Sequence, residues 1–324
     1  MSKAICFAQF GGPEVLRWMD VEVAEPGPGE VRIRQKAVGV NFIDIYQRSG
    51  LYKVPLPAVA GNEGAGVVEA VGAGVTLVKV GDRIAYAGVL GSYCETRIIK
   101  ADRLCLLPDG ISFEQAAGMM LKGLTARYLI RKTYHVQKGD TVLFHAAAGG
   151  VGTIACQWLR ALGARVIGTA GSAEKCEMAR QNGADFCINY RDENILERVQ
   201  EITNGEGAAV VYDSVGKDTF ETSLKSLLPR GLLVCFGNAS GPVPPFDLLL
   251  LSQFGSLYVT RPTLATYIAK RAELEEAASE LFGMVTSGAV QIEINQKYAL
   301  QDAAQAHRDL ETRKTTGSSV LLPD

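Results

Sequence analysis

In the N-terminal third of the chain, apolar and polar positions alternate in short runs cut by glycines, the pattern of half-buried strands and turns. Strands are predicted from the start (Met1–Cys6), over Val31–Arg34, Gly66–Val71, Arg83–Tyr86 and Tyr93–Ile99, with a short helix over Phe42–Arg48. The texture changes after Pro108. Ser112-Phe113-Glu114-Gln115 reads as a capping box opening a long apolar helix toward Tyr128, with Lys138-Gly139-Asp140 ending the stretch.

From Thr141 strand and helix patterns alternate. Strands are predicted at Thr141–His145, Arg165–Thr169, Phe186–Asn189, Ala209–Asp213, Leu232–Phe236 and Ser256–Val259, with helices such as Gly150–Leu162 and Glu174–Asn182 between them. Strands joined by helical crossovers imply an α/β fold, a doubly wound parallel sheet. The tail predicts a helix after Leu264, a strand near Gln291–Tyr298, a helix near Gln301–Thr312 and a last strand at Ser319–Leu322. It is too short to bury its own core and is expected to complete the N-terminal region.

The strand Thr141–His145 runs into Ala146-Ala147-Ala148-Gly149-Gly150-Val151-Gly152 and then an apolar helix. That is the strand, glycine turn and helix start that a dinucleotide-binding Rossmann unit needs. Gly149 admits the backbone to the pyrophosphate, Gly152 allows tight packing, and Gly150 and Val151 contribute first-turn N–H groups to the phosphates. Ala147 stands where the fingerprint has its first glycine, so the strand–turn–helix context carries the assignment.

Enzymes that use NADH place an acid near the end of the second strand, on the ribose 2′-hydroxyl. Here that position is Ala170, and Gly171, Ser172 and Lys175 follow. A missing acid with a hydroxyl and a cation nearby suits a 2′-phosphate, so NADPH is the expected cofactor. Glu174 is expected to point away along its helix.

Composition narrows the class without changing this picture. At 324 residues the chain exceeds the roughly 250–300 at which single cores stop growing. A net charge of −2 without basic runs gives no reason to expect nucleic-acid binding, and no apolar run has the length of a membrane span. The seven cysteines are scattered and never spaced as CxxC, which suggests reduced thiols and a cytoplasmic address. The three histidines have no ligand-like spacing.

Several motifs in order, Gly11-Gly12-Pro13-Glu14-Val15-Leu16, Val40-Asn41-Phe42-Ile43-Asp44, Gly61–Val68, Gly81-Asp82-Arg83 and Ala147–Gly152, give the chain its resemblance to a family. It resembles the zinc-free quinone oxidoreductase (zeta-crystallin-like) branch of the medium-chain dehydrogenase/reductase superfamily, over essentially its whole length. The resemblance implies a GroES-like β-rich catalytic domain from residues 1–122 and 265–324, with a Rossmann NADPH-binding domain, 123–264, inserted. Where similar zinc enzymes carry Cys and His ligands this chain has Asn41 and Asn62, and the structural-zinc lobe has no counterpart, so no metal is expected.

The same resemblance implies the site. Asn41, Tyr46 and Tyr52 become candidates for holding the acceptor oxygen, and Arg261 for stabilising anionic charge. Asn41, Phe42, Ile43, Asp44 and Tyr46 are implied beside the nicotinamide ribose and ring, flanked by Phe236 and Asn238. Tyr128 and Arg313 are implied to reach the cofactor, and Tyr190 to sit at its adenosine end with Lys175. The expected reaction is metal-independent reduction of a quinone by NADPH. Reduction of α,β-unsaturated carbonyls is an alternative, as is a non-catalytic NADPH- or RNA-binding role. Homodimers or tetramers through the Rossmann domain are also implied.

Overall fold

The computed structural model describes residues 1–323, which divide into two compact units. One combines Met1–Leu124 with Ile268–Thr286 and Ile292–Asp324, the other Thr125–Tyr267 with Ser287–Gln291.

The second unit is built on a six-stranded, all-parallel sheet. Its strands, in sequence order, are Thr141–Phe144, Arg165–Ala170, Phe186–Asn189, Ala208–Asp213, Leu227–Cys235 and Tyr258–Thr260, and their spatial order is 3-2-1-4-5-6. That is the doubly wound order expected from the alternating pattern. Leu143, Ile167, Val211 and Leu233 are fully buried with Val199 of helix Ile195–Ile202 and Leu224 of helix Phe220–Lys225. The helix Gly150–Ala161 buries Ile154, Ala155, Trp158 and Leu159, an i, i+4 and i+5 stripe.

The first unit is β-rich. A seven-stranded sheet runs Ile294–Ala299, Ser318–Leu322, Glu30–Gly39, Glu63–Val71, Arg83–Ala87, Cys105–Leu106, and Thr96–Lys100 also pairs with Glu30–Gly39. The C-terminal strand Ser318–Leu322 is antiparallel to Glu30–Gly39. Ile5, Phe7, Val38, Leu300, Ala303 and Leu321 share one cluster, so the two chain ends bury each other's apolar faces. A small sheet of Ser2–Phe7, Arg17–Val21 and Ala58–Val59 lies alongside.

Element types agree with the sequence reading more closely than their bounds. The capping box is present: Gln115 N donates to Ser112 Oγ at 3.2 Å, and Ser112 N to Gln115 Oε1 at 3.1 Å. The helix it opens, Phe113–Tyr128, continues as a π turn over Leu129–Thr133, well before Lys138. Tyr212 Oη donates at 3.0 Å to the Leu129 carbonyl there, which also accepts the turn's own bond from Tyr134 N at 3.1 Å. The predicted strand Tyr93–Ile99 begins only at Thr96, because Tyr93 turns inward to a polar network described below. The strand predicted at Ser256–Val259 is Tyr258–Thr260, since Ser256 adopts a left-handed conformation that ends the preceding turn.

Candidate active site

The helix Gly150–Ala161 starts directly behind the strand Thr141–Phe144, and Gly149 is its N-cap. Glycine has no side chain with which to cap, so the first-turn N–H groups stay available to an anion. A Cβ on Gly152 would lie 2.5 Å from the Ala146 carbonyl oxygen and 2.6 Å from that of Ala147. Only glycine lets helix and turn approach this closely. Gly149 is less confined, a Cβ there meeting Ala146 O at 3.2 Å.

Below the turn lies a buried polar chain. Ser223 Oγ donates to Asp213 Oδ2 at 2.8 Å, His145 Nε2 lies 3.0 Å from Ser223 Oγ, and His145 Nδ1 lies 3.0 Å from Thr169 Oγ1. Burial holds His145 below its ordinary pKa, partly offset by Asp213, so the ring is neutral. Asp213 also accepts from Val215 N, Gly216 N and Thr219 Oγ1, so the carboxylate organises the strand end beneath the turn.

The second strand ends in buried Ala170, and Gly171, Ser172, Lys175 and Tyr190 gather at its end. Ser172 caps the next helix by accepting from Lys175 N at 3.3 Å. The Tyr190 hydroxyl lies 2.5 Å from where a Cβ on Gly171 would stand, so glycine leaves room for that ring. One expectation fails here. Glu174 does not point away: the Ser172 hydroxyl and its own backbone N–H hold its carboxyl below the usual range. A residue in the first helical turn is drawn back to the positive end of the helix. It is fully exposed, so an incoming phosphate competes with a side chain that can swing into water.

Three other residues implied as cofactor contacts, and Arg261, implied to stabilise anionic charge, belong to this unit. Phe236 and Asn238 follow the fifth strand, with Phe236 N donating to Asp213 O at 2.8 Å and its ring 5.9 Å from that of Phe144. Tyr128 is buried and stacks on Tyr267 at 4.6 Å. Arg261 follows the edge strand, is exposed, and its charge opposes the burial that pushes the Cys235 thiol up to about 12.

In the first unit the helix Phe42–Ser49 groups the remaining candidates. The Phe42 and Tyr46 rings lie 6.1 Å apart, and Tyr46 meets Tyr52 edge-on at 5.2 Å. Ile43 is half-buried on the same turn. Asn41 precedes the helix and donates through Nδ2 to Glu63 Oε2 at 2.8 Å. Asp44 turns inward, accepting from Asn41 N at 2.8 Å, Asn62 Nδ2 at 2.7 Å and Tyr93 Oη at 3.0 Å. Burial pushes the Asp44 carboxyl up to about 6, against the pull of those three donors and the Lys122 charge. Arg313 is exposed and left-handed just past helix Ala303–Glu311.

Glu63 is fully buried and accepts from Leu121 N at 2.7 Å and Lys122 Nζ at 3.2 Å as well as from Asn41. These residues do not fit a zinc ion. Asn41 and Asn62 offer amides in place of thiolate and imidazole, and the one carboxylate among them is neutralised by an ammonium group. Among the described residues no three His, Cys, Asp or Glu side chains cluster as a metal site.

Comparison with known proteins bears on this arrangement. Residues 27–140 match the family described as "Alcohol dehydrogenase GroES-like domain", and residues 150–282 that described as "Zinc-binding dehydrogenase". A quinone oxidoreductase of Pseudomonas aeruginosa is 59% identical, with 100% of each chain covered. The chain belongs to the quinone oxidoreductase family of the medium-chain dehydrogenases/reductases. The crystal structure of Escherichia coli quinone oxidoreductase complexed with NADPH is 53% identical and superposes with a TM-score of 0.97, covering 99% of this chain and 100% of that one. A 2-haloacrylate reductase of a Burkholderia species is 45% identical over 97% of this chain and 96% of its own length.

Glu63, Lys122, Tyr93, His307, His145 and Asp213 did not emerge as site residues from sequence. A lone lysine inside the apolar run Ala116–Leu124 was the one available signal, since a buried ammonium demands a partner.

Gly152→Ala is expected to lower the melting temperature of the ligand-free protein by several degrees, because the added Cβ forces helix and turn apart. Gly149→Ala should leave that temperature nearly unchanged and weaken dinucleotide binding alone. Thermal unfolding and fluorescence titration of both variants check the contrast.

Proposed function

We propose that this chain is an NADPH-dependent quinone oxidoreductase that works without a metal. One observation carries the reading: a bare helix start behind a glycine turn, beside a strand end without an acid. That combination provides donors for a pyrophosphate and no negative charge fixed at the ribose 2′ position. The relatives named quinone oxidoreductase, one of them complexed with NADPH, support it along the full chain. We assign NADPH binding to residues 123–264 and the catalytic role to 1–122 with 265–324.

Bound NADPH supplies the hydride. The chain's own residues bind and orient. Gly149, Gly150, Val151 and Gly152 take the pyrophosphate, and Gly171, Ser172, Lys175 and Tyr190 surround the adenosine ribose and its phosphate. Tyr128, Phe236, Asn238 and Arg313 complete the cofactor contacts. Phe42, Ile43 and Asp44 shape the nicotinamide side, with Asp44 acting through Asn41. Tyr46 and Tyr52 offer hydroxyls to a quinone oxygen, and Asn41 and Arg261 favour the negative charge that develops there. A conjugated acceptor spreads that charge by itself, so no Lewis acid is needed, in agreement with the donor set around Glu63.

A spectrophotometric matrix of NADPH and NADH against 1,4-benzoquinone, a naphthoquinone, a 2-alkenal and 2-chloroacrylate tests the reading. NADPH with a quinone is expected to be fastest. Turnover confined to the alkenes would move this chain to the chemistry named for its haloacrylate-reducing relative. Lys175→Ala is expected to raise the Kd for NADPH about tenfold or more while changing that for NADH about twofold or less, since only NADPH carries the 2′-phosphate. Equal losses would remove Lys175 from that role.

We further propose a homodimer formed through the six-stranded sheet. Its last strand, Tyr258–Thr260, is an open edge, and exposed Tyr258, Leu248 and Leu249 lie in or near it in sequence. A second copy pairing edge to edge covers both the backbone groups and the apolar side chains. Light scattering after size exclusion should give twice the chain mass for the native protein and the chain mass for Leu248→Asp/Tyr258→Asp. The seven cysteines are all free, which supports a reducing, cytoplasmic setting.

A further inference from the structure

The helix carrying Tyr46 is tied at both ends into one buried polar chain, whose middle members Tyr93 and His307 have no part in the function proposed above. At its C-terminal end Arg48, 2% exposed, donates through Nε to Gly11 O at 3.1 Å, and through Nη1 and Nη2 to Glu311 at 3.2 and 2.5 Å. Arg48 Nη1 also lies 3.3 Å from His307 Nδ1, and His307 Nε2 lies 3.1 Å from Tyr93 Oη. Tyr93 Oη reaches Asp44 Oδ2 at 3.0 Å, and Asp44 holds Asn41 N at the helix start.

The direction of every bond is forced. Arginine only donates, so His307 Nδ1 must accept and its ring is neutral with the proton on Nε2. That Nε2–H donates to Tyr93 Oη. The single Tyr93 hydroxyl proton is then left for Asp44, which must be a carboxylate to accept it along with Asn41 N and Asn62 Nδ2. Burial and the Arg48 charge, which hold His307 down to about 3, agree with the neutral ring. Each donor polarises the next, from the cation at one end of the helix to the anion at the other.

Stability alone does not call for such a chain, since well-packed apolar side chains in place of buried charges are often at least as stable. Orientation does call for it. We propose that Tyr93 and His307 are positioning residues for quinone reduction, linking Arg48 to Asp44 so that the helix Phe42–Ser49 presents Tyr46 in one fixed orientation. The proposal rests on the reading of Tyr46 as a quinone contact.

Tyr93→Phe removes one hydroxyl and keeps the ring that packs edge-on against His307 at 5.7 Å. It is expected to raise the quinone KM about tenfold, roughly the loss of one or two buried hydrogen bonds, with the NADPH Kd within about twofold of native. Tyr46→Phe should raise the same KM, and the double variant should cost less than the product of the two, because Tyr93 acts through Tyr46. A native KM in Tyr93→Phe beside a raised one in Tyr46→Phe overturns the positioning role alone, as does multiplicative behaviour of the pair. A silent Tyr46→Phe overturns the quinone contact first, and the positioning role with it. Should Tyr93→Phe fail to fold, ¹⁵N imidazole spectra of the native protein decide. With three histidines in the chain, His307 is assignable, and the Nε2–H tautomer is expected at neutral pH. A charged ring or the Nδ1–H tautomer overturns the proposal.

Discussion

The dinucleotide half of the molecule depends on a contact in which one atom too many would not fit: backbone against backbone where the helix Gly150–Ala161 leaves the strand Thr141–Phe144. The absent Cβ at Gly152 brings the helix down onto the turn, and the glycine N-cap leaves its first N–H groups without an internal partner. Everything else at that end of the sheet serves the same opening. Asp213, His145 and Thr169 fix the strand ends beneath it, and the second strand stops at buried Ala170, leaving exposed Glu174 as the carboxylate at the helix start beyond it. Ser172 and Lys175 then lie at the next helix start, where positive potential is already concentrated.

The β-rich half uses charge in another way. Glu63 and Asp44 are buried carboxylates, and each is fully occupied by the chain's own donors, an ammonium and amides for one, amides and a phenol for the other. The Asn41 and Asn62 amides and the Tyr93 phenol are thereby engaged with the chain's own carboxylates.

Much of this was legible in the chain. Period and turn residues marked the parallel sheet and its glycine turn because local chemistry dominates there: Val142, Leu143 and Phe144 are buried whatever the tertiary detail, and only glycine fits at 152. The absent acid at Ala170 was likewise readable by spacing. Glu174 was misjudged because helical geometry alone ignores the pull of the helix start on an exposed carboxylate. Tyr93 and His307 stayed hidden because they lie far apart in sequence, and only the pairing of the chain ends brings them to Asp44. Strand ends shifted where single residues answered to such distant partners, as Tyr93 did.

The central claim is that the first-turn N–H groups behind Gly149 hold the pyrophosphate of NADPH, with the 2′-phosphate at Ser172 and Lys175. A crystal structure of the complex with NADPH tests it most directly. Phosphate oxygens are expected within hydrogen-bond distance of Val151 N and Gly152 N, with the ribose phosphate on the Ser172 hydroxyl and the Lys175 ammonium and Glu174 swung out to solvent. A pyrophosphate bound away from that helix start, or a ribose phosphate with no contact to either side chain, would contradict it.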